Sequence, residues 1–155
     1  MTIRFLCDQN IGKMAKWLRI LGYDTLVKSD DKNQPIEGAE RDGRIVLTRN
    51  RDFESCGSEI FVVIRADRVE DQIKEIIRRL DLHPDPKNRM SLCLLCNTML
   101  ENIAKEKVET AVPAHVYQNN HVFRRCPLCG RIYWPGTHAR NIESFLKERI
   151  PKDLP

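Results

Sequence analysis

The chain has 155 residues, 41% of them hydrophobic, a mean hydropathy of -0.47 and a formal net charge of +4. Those values exclude a disordered polyelectrolyte, and no apolar run approaches the ~20 residues a membrane helix needs. The length suits one ordinary domain, or a small domain joined to a metal-stabilised module.

Ile3, Phe5 and Cys7 alternate with Arg4, Leu6 and Asp8, the period of a first strand that ends on an acid. The opening residues are too few and too soon charged for a signal peptide, so a cytoplasmic protein is expected. Ile11, Met14, Ala15, Leu18 and Leu21 follow at helical spacing, and Gly22 stops that helix. Its opposite side carries Lys13, Lys16 and Arg19. Residues 24–27 predict a short second strand. Residues 28–36 are polar and contain Pro35, a loop signal, with room for a short helix over 37–42. The apolar, β-branched runs 44–48 and 60–64 read as strands buried on both faces, as in a parallel sheet. Val69, Ile73, Ile76, Ile77 and Leu80 predict an amphipathic helix. Strands alternating with helices give an α/β fold with a mostly parallel sheet and helices on both faces.

Two prolines within 83–88 break any element, so the first domain is expected to span 1–86 and a second module 87–155. The first part holds 15 Lys+Arg against 16 Asp+Glu, a formal −1, and the second 11 against 6, a formal +5. That asymmetry suggests that one part holds an anionic polymer and the other cuts it, although inert surfaces also carry such differences. Ile142, Phe145, Leu146 and Ile150 predict a closing helix that Pro151 terminates.

The second module contains two matched C-x-x-C pairs, Cys93 with Cys96 and Cys126 with Cys129, separated by the 29 residues 97–125. Thiolates at that spacing take adjacent corners of a zinc tetrahedron, and four leave no open position, so the zinc is structural. Asn97 follows the first pair and Gly130 the second, both suited to the left-handed backbone of a metal knuckle. A redox dithiol needs only one C-x-x-C, and disulfides belong to oxidising compartments.

Ligands of a parallel α/β sheet bind at the carboxyl ends of its strands. Asp8 ends the first strand, Asp30 and Asp31 follow the second, and Asp52 lies beyond the third. Carboxylates gathered on one rim repel unless a cation sits among them. Magnesium or manganese suits oxygen ligands and can polarise a phosphoryl oxygen and activate a water. Each of these acids has a plainer use, and Asp8 could simply cap the next helix.

Three separated stretches carry a resemblance. The first runs from Phe5 through Asp8, Lys13 and Trp17 to Asp24 and Thr25, and the second from Gly43 to Asp52. The third includes Val116 and Tyr117 and runs from Phe123 through the second cysteine pair to Trp134 and His138. Together they resemble the Mut-seven C-terminal ribonuclease family, which is similar to PIN domains and carries a C-terminal zinc ribbon. The resemblance implies RNA cleavage at a PIN-like, Rossmann-like rim of acids holding magnesium or manganese. It places Asp8, Asp31 and Asp52 as metal-holding acids, assisted by Asp30 or Asn50, with Glu40 a further candidate. The family has an acid where this chain has Asn50, whose amide oxygen coordinates without adding charge.

RNA contacts are expected from Lys13, Lys16, Arg49 and Arg51 around that rim. In the ribbon, Arg124, Arg125, Tyr133, Trp134 and His138 combine cations with aromatic rings, a single-strand RNA pattern. Phe123 and Tyr117 are expected in the ribbon core, and Cys7 in an apolar interior. The competing expectation is a non-catalytic RNA-binding adaptor whose PIN-like site has degenerated at Asn50.

Overall fold

The computed structural model describes residues 2–28 and 42–149. Two compact units form, Met1–Asn97 and Thr98–Pro155. In the first, strands β1 (Phe5–Cys7), β2 (Thr25–Val27), β3 (Ile45–Thr48) and β4 (Phe61–Val63) lie in the order β2-β1-β3-β4. All three pairings are parallel, with Phe5 opposite Thr25 on one side and Ile45 on the other. Phe5, Cys7, Val46, Leu47, Val62 and Val63 are buried, as the apolar runs predict. The segment 29–41, which holds all but the last residue of the short helix expected over 37–42, lies outside the described residues.

Helix α1 (Gly12–Ile20) buries Met14, Ala15 and Leu18 and packs against α2 (Val69–Arg79), which buries Ile73, Ile76 and Ile77. Gly22 ends the first helical run with φ +95°, and a side chain there would meet the Asn88 carbonyl oxygen at 2.5 Å. Glycine is therefore required for both backbone angle and space. This close approach, with the Met90 N–H donating to Ile20 O at 2.9 Å, keeps the polar linker on the first unit. The units accordingly divide after Asn97, whereas the prolines alone suggest a break after 86.

Glu75 organises the turn from β4 into α2. Its carboxylate accepts from the N–H groups of Arg65 (3.1 Å) and Ala66 (3.0 Å) and from Arg79 Nη1 (2.9 Å). Burial pushes its pKa up, but these donors outweigh burial and hold the carboxyl below its ordinary value. A depressed folded-state pKa gives stability that is present above the unfolded value and lost as pH falls through the folded one. Glu75→Gln is expected to lower the urea midpoint at pH 7, and the gap to wild type should close as pH drops below about 4.3. Urea melts of both proteins between pH 7 and pH 3.5 measure it.

The second unit pairs β5 (Glu101–Ile103), β6 (Phe123–Arg125) and β7 (Ile132–Tyr133) antiparallel in the order β5-β6-β7. Its core is Val108, Val112, Val116 and Phe123, with Ile103, Tyr117, Ile132 and Trp134 packed on it. Val116 comes from α3 (Ala114–Asn119). Lys105 Nζ lies 4.7 Å from the centre of the Tyr117 ring, a cation–π contact that occupies that face of the ring. The closing helix α4 (Thr137–Arg149) buries Ile142 and Leu146. No described helix is long and apolar enough to cross a membrane.

Candidate active site and metal centre

In the order β2-β1-β3-β4, β1 and β3 are neighbours while their following strands lie on opposite sides. That reversal opens a crevice at the carboxyl ends of β1 and β3. Asp8 sits there, half-buried, its N–H donating to Leu47 O at 2.9 Å. Thr48, the buried last residue of β3, donates its hydroxyl to Asp8 Oδ2 at 3.0 Å. The Asn50 N–H in turn donates to Thr48 Oγ1 at 3.1 Å. A hydrogen-bonded chain thus runs from Asn50 through Thr48 to Asp8. It fixes one carboxylate oxygen, and among the described residues the other, Oδ1, has no hydrogen-bond partner.

Asn50 is engaged elsewhere. Its Oδ1 accepts from the Asp52 N–H at 3.0 Å and caps the short 3-10 turn Arg51–Ser55. Asp52 lies exposed on that turn. Asp30, Asp31 and Glu40 lie outside the described residues. Among the described residues, three or more ligand-type groups come within reach of one ion only at the cysteines. Asp8 alone among the described residues offers this crevice a half-buried carboxylate held by a hydrogen bond, an oxygen donor of the type a hard cation takes.

Of the basic residues, Arg49 pairs with Asp67, and Arg51 is exposed. Lys13 and Lys16 are exposed on α1 and line a cleft. Arg19 also lines that cleft but is not exposed. It is buried, with Nε donating to Thr25 O at 2.9 Å and Nη1 to Leu94 O at 2.5 Å. In the ribbon sheet Arg124 stands between Asn102 and Tyr133 across the strands, and alternation puts this row on the face opposite Phe123. Arg125 is exposed, and Trp134 is half-buried against the core. His138 falls on α4, but its side chain lies outside the described residues.

Each C-x-x-C forms the same turn. The Asn97 N–H donates to Cys93 O and the Gly130 N–H to Cys126 O, both at 2.9 Å. The Cys96 N–H points at Cys93 Sγ (3.4 Å) and the Cys129 N–H at Cys126 Sγ (3.5 Å). Asn97 and Gly130 have φ of 58° and 76°, the left-handed backbone expected of them. The four sulfurs lie within 4.8 Å of one another, and none is in a disulfide. A tetrahedron with 2.3 Å zinc–sulfur bonds has sulfurs about 3.8 Å apart, so the donor set fits such an ion.

Asn97, the residue after the first knuckle, anchors it to the start of β2. Asn97 Oδ1 accepts from the Thr25 N–H at 2.9 Å, and its amide donates to Asp24 Oδ1 at 2.6 Å. Arg44 grips the same Asp24 with two nitrogens, at 2.8 and 3.2 Å. Burial pushes the Asp24 pKa up, but the hydrogen bonds from Arg44 and Asn97 prevail and hold it below the usual carboxylate range.

Residues 3–146 match the family model described as the Mut7-C RNAse domain. The chain belongs to the Mut7-C RNAse domain family. A human protein described as "Exonuclease mut-7 homolog" is 25% identical over an alignment of 103 residues that covers 62% of this chain and 12% of that protein. No solved structure matches the chain. The Mut7-C match reaches from β1 into α4 and so takes in both the Asp8 crevice and all four cysteines.

Three residues do more here than their local sequence signals. Thr48 signals only a polar end to an apolar run. Asn97 signals its backbone angle and not the partners of its amide. Arg19 falls on the polar side of the helical pattern, and its partners at Leu94 and Leu95 are 75 and 76 residues away.

Proposed function

We propose that the chain is a metal-dependent ribonuclease that hydrolyses RNA phosphodiester bonds at the Asp8 crevice. The observation that carries this reading is the Asn50–Thr48–Asp8 hydrogen-bonded chain at the sheet's switch point in a member of an RNase domain family. Asp8 and Asp52, with Asp31 and the assisting Asp30, would hold magnesium or manganese. Such a cation would supply positive charge toward the phosphate and lower the pKa of water. Thr48 orients the Asp8 carboxylate, and Asn50 holds Thr48 from behind. Arg49, Arg51, Lys13 and Lys16 neutralise phosphates near the cut. Zinc at Cys93, Cys96, Cys126 and Cys129 folds the ribbon, whose Arg124, Arg125, Tyr133, Trp134 and His138 grip the strand.

The test is incubation of the purified, zinc-loaded protein with labelled single-stranded RNA, structured RNA and DNA in manganese or magnesium. RNA cleavage that requires the added metal is expected. No cleavage in either metal, with RNA bound, overturns the reading in favour of an RNA-binding adaptor. That second reading draws on Asn50, whose amide oxygen is committed to a turn cap. Asn50→Asp separates the two. Asp is an equally good cap, so folding should be unchanged. A catalytic site should then gain metal affinity and rate, whereas an adaptor should stay inactive.

A further inference from the structure

A cleft of about 950 Å³ opens within the first unit, directly after Asp8. Gln9 and Asn10 begin its lining. One wall carries Lys13 and Lys16, three residues apart on α1 and therefore side by side on the helix surface. The facing wall is Arg68 and the start of α2. All three cationic side chains are exposed. The acids on the rim are Asp67, already paired with Arg49, and Glu70.

The remaining wall is the first cysteine knuckle, through Leu94 and Leu95. Leu95 is 49% exposed and so presents an apolar side chain to the cleft. Arg19 explains how this wall is held. Its buried guanidinium joins Thr25 O at the head of β2 to Leu94 O (2.5 Å) and reaches toward Leu95 O (3.5 Å). Arg19, at the edge of the cleft, therefore positions this wall. Cations on two sides and an exposed apolar residue on a third match the two halves of a nucleotide, phosphate and base. The volume lies at the upper end of the ~300–1,000 Å³ of small-ligand sites, which suits a stretch of strand.

We propose that this cleft seats the single-stranded RNA adjoining the cut, with Lys13, Lys16 and Arg68 on its phosphates and Leu95 of the metal knuckle under a base. The proposal rests on RNA being the substrate and adds where the strand runs and what the first knuckle contributes.

Binding of a fluorescent oligouridylate to zinc-loaded Asp8→Asn protein, followed by anisotropy across salt concentrations, tests it without cleavage. Lys13→Glu/Lys16→Glu/Arg68→Glu should weaken binding at least about tenfold and flatten the log–log salt dependence by about 2, at roughly 0.7 for each phosphate no longer neutralised. Leu95→Ser should weaken binding several-fold and leave the salt dependence unchanged. Photo-crosslinking of 4-thiouridine RNA to the same protein should label peptides spanning 9–16 and 94–95. Unchanged affinity in the triple variant, or crosslinks confined to the ribbon strands, overturns the proposal. So does equal competition by polyglutamate, which would make the cleft a trap for any polyanion. The two readings fail separately. If the strand binds in the cleft and the wild type cuts nothing, the nuclease is wrong and the cleft stands. If cutting persists with affinity unchanged in the triple variant, the reverse holds.

Discussion

Asp8→Asn should abolish manganese- or magnesium-dependent RNA cleavage while the protein stays folded and binds RNA. The amide is isosteric and still accepts the Thr48 hydroxyl, so the crevice keeps its shape. What it removes is the negative charge at the one described acid that is both half-buried and held by a hydrogen bond at the switch point. Loss of an outer-shell partner costs a metal site about 10–100-fold. Loss of a ligand's charge should exceed that, giving a fall in rate of more than about 100-fold. Thr48→Val provides the internal scale. It leaves Asp8 charged but unoriented and strands the Asn50 N–H, so it should fall within the 10–100-fold range. Single-turnover cleavage of one labelled oligonucleotide by all three proteins measures both. An Asp8→Asn protein that cuts as fast as wild type removes Asp8 from the chemistry.

Cys126→Ser should unfold the second unit. That unit is held by a small cluster of Val108, Val112, Val116 and Phe123 with four partly buried residues packed on it, besides the buried Leu100, Ile142 and Leu146. A core of this size rarely supports a fold without a staple. Structural zinc contributes apparent free energies of about 10–16 kcal/mol in small zinc-dependent domains, far more than such a core supplies. Cys126 is fully buried, and a serine hydroxyl there is a poor substitute for thiolate. Wild-type protein is expected to carry one zinc per chain by elemental analysis. The variant should carry much less and lose the near-ultraviolet dichroism of Trp134. Strong chelation of the wild type should do the same, so chelator controls in nuclease assays must be read against zinc content.

The parallel sheet was legible because its strands are short apolar runs and its helices keep strict spacing. Both signals are local. The knuckles were legible for the same reason, since two cysteines and a residue tolerant of positive φ specify the turn within five positions. The stretch between the cysteine pairs was not. It yielded no expected element, yet it forms β5 and α3 and supplies Val108, Val112 and Val116 to the core. The three valines are spaced four apart, which suggests one helix. Pro113 interrupts that run, and only Val116 lies in an α-helix. The candidate site was half legible. Asp8 at a strand end follows from alternation, but the role of Thr48 depends on which strand neighbours β1, and strand order is not written in any single segment. Arg19 shows the same limit, since nothing near it in the chain says that it will be buried against a turn formed by residues 94 and 95.

The cysteines outside the metal centre differ in a way that has a practical consequence. Burial lifts the Cys7 thiol to about 12, which leaves it almost wholly protonated at neutral pH and closed to reagents. Outside the four clustered cysteines that could hold a metal, Cys56 is the open thiol, exposed at the end of the turn that carries Asp52. The unaltered protein therefore comes with a built-in attachment point for a fluorophore or spin label, a few residues from the crevice. Binding and catalysis can be watched from that position without first engineering a cysteine into the chain.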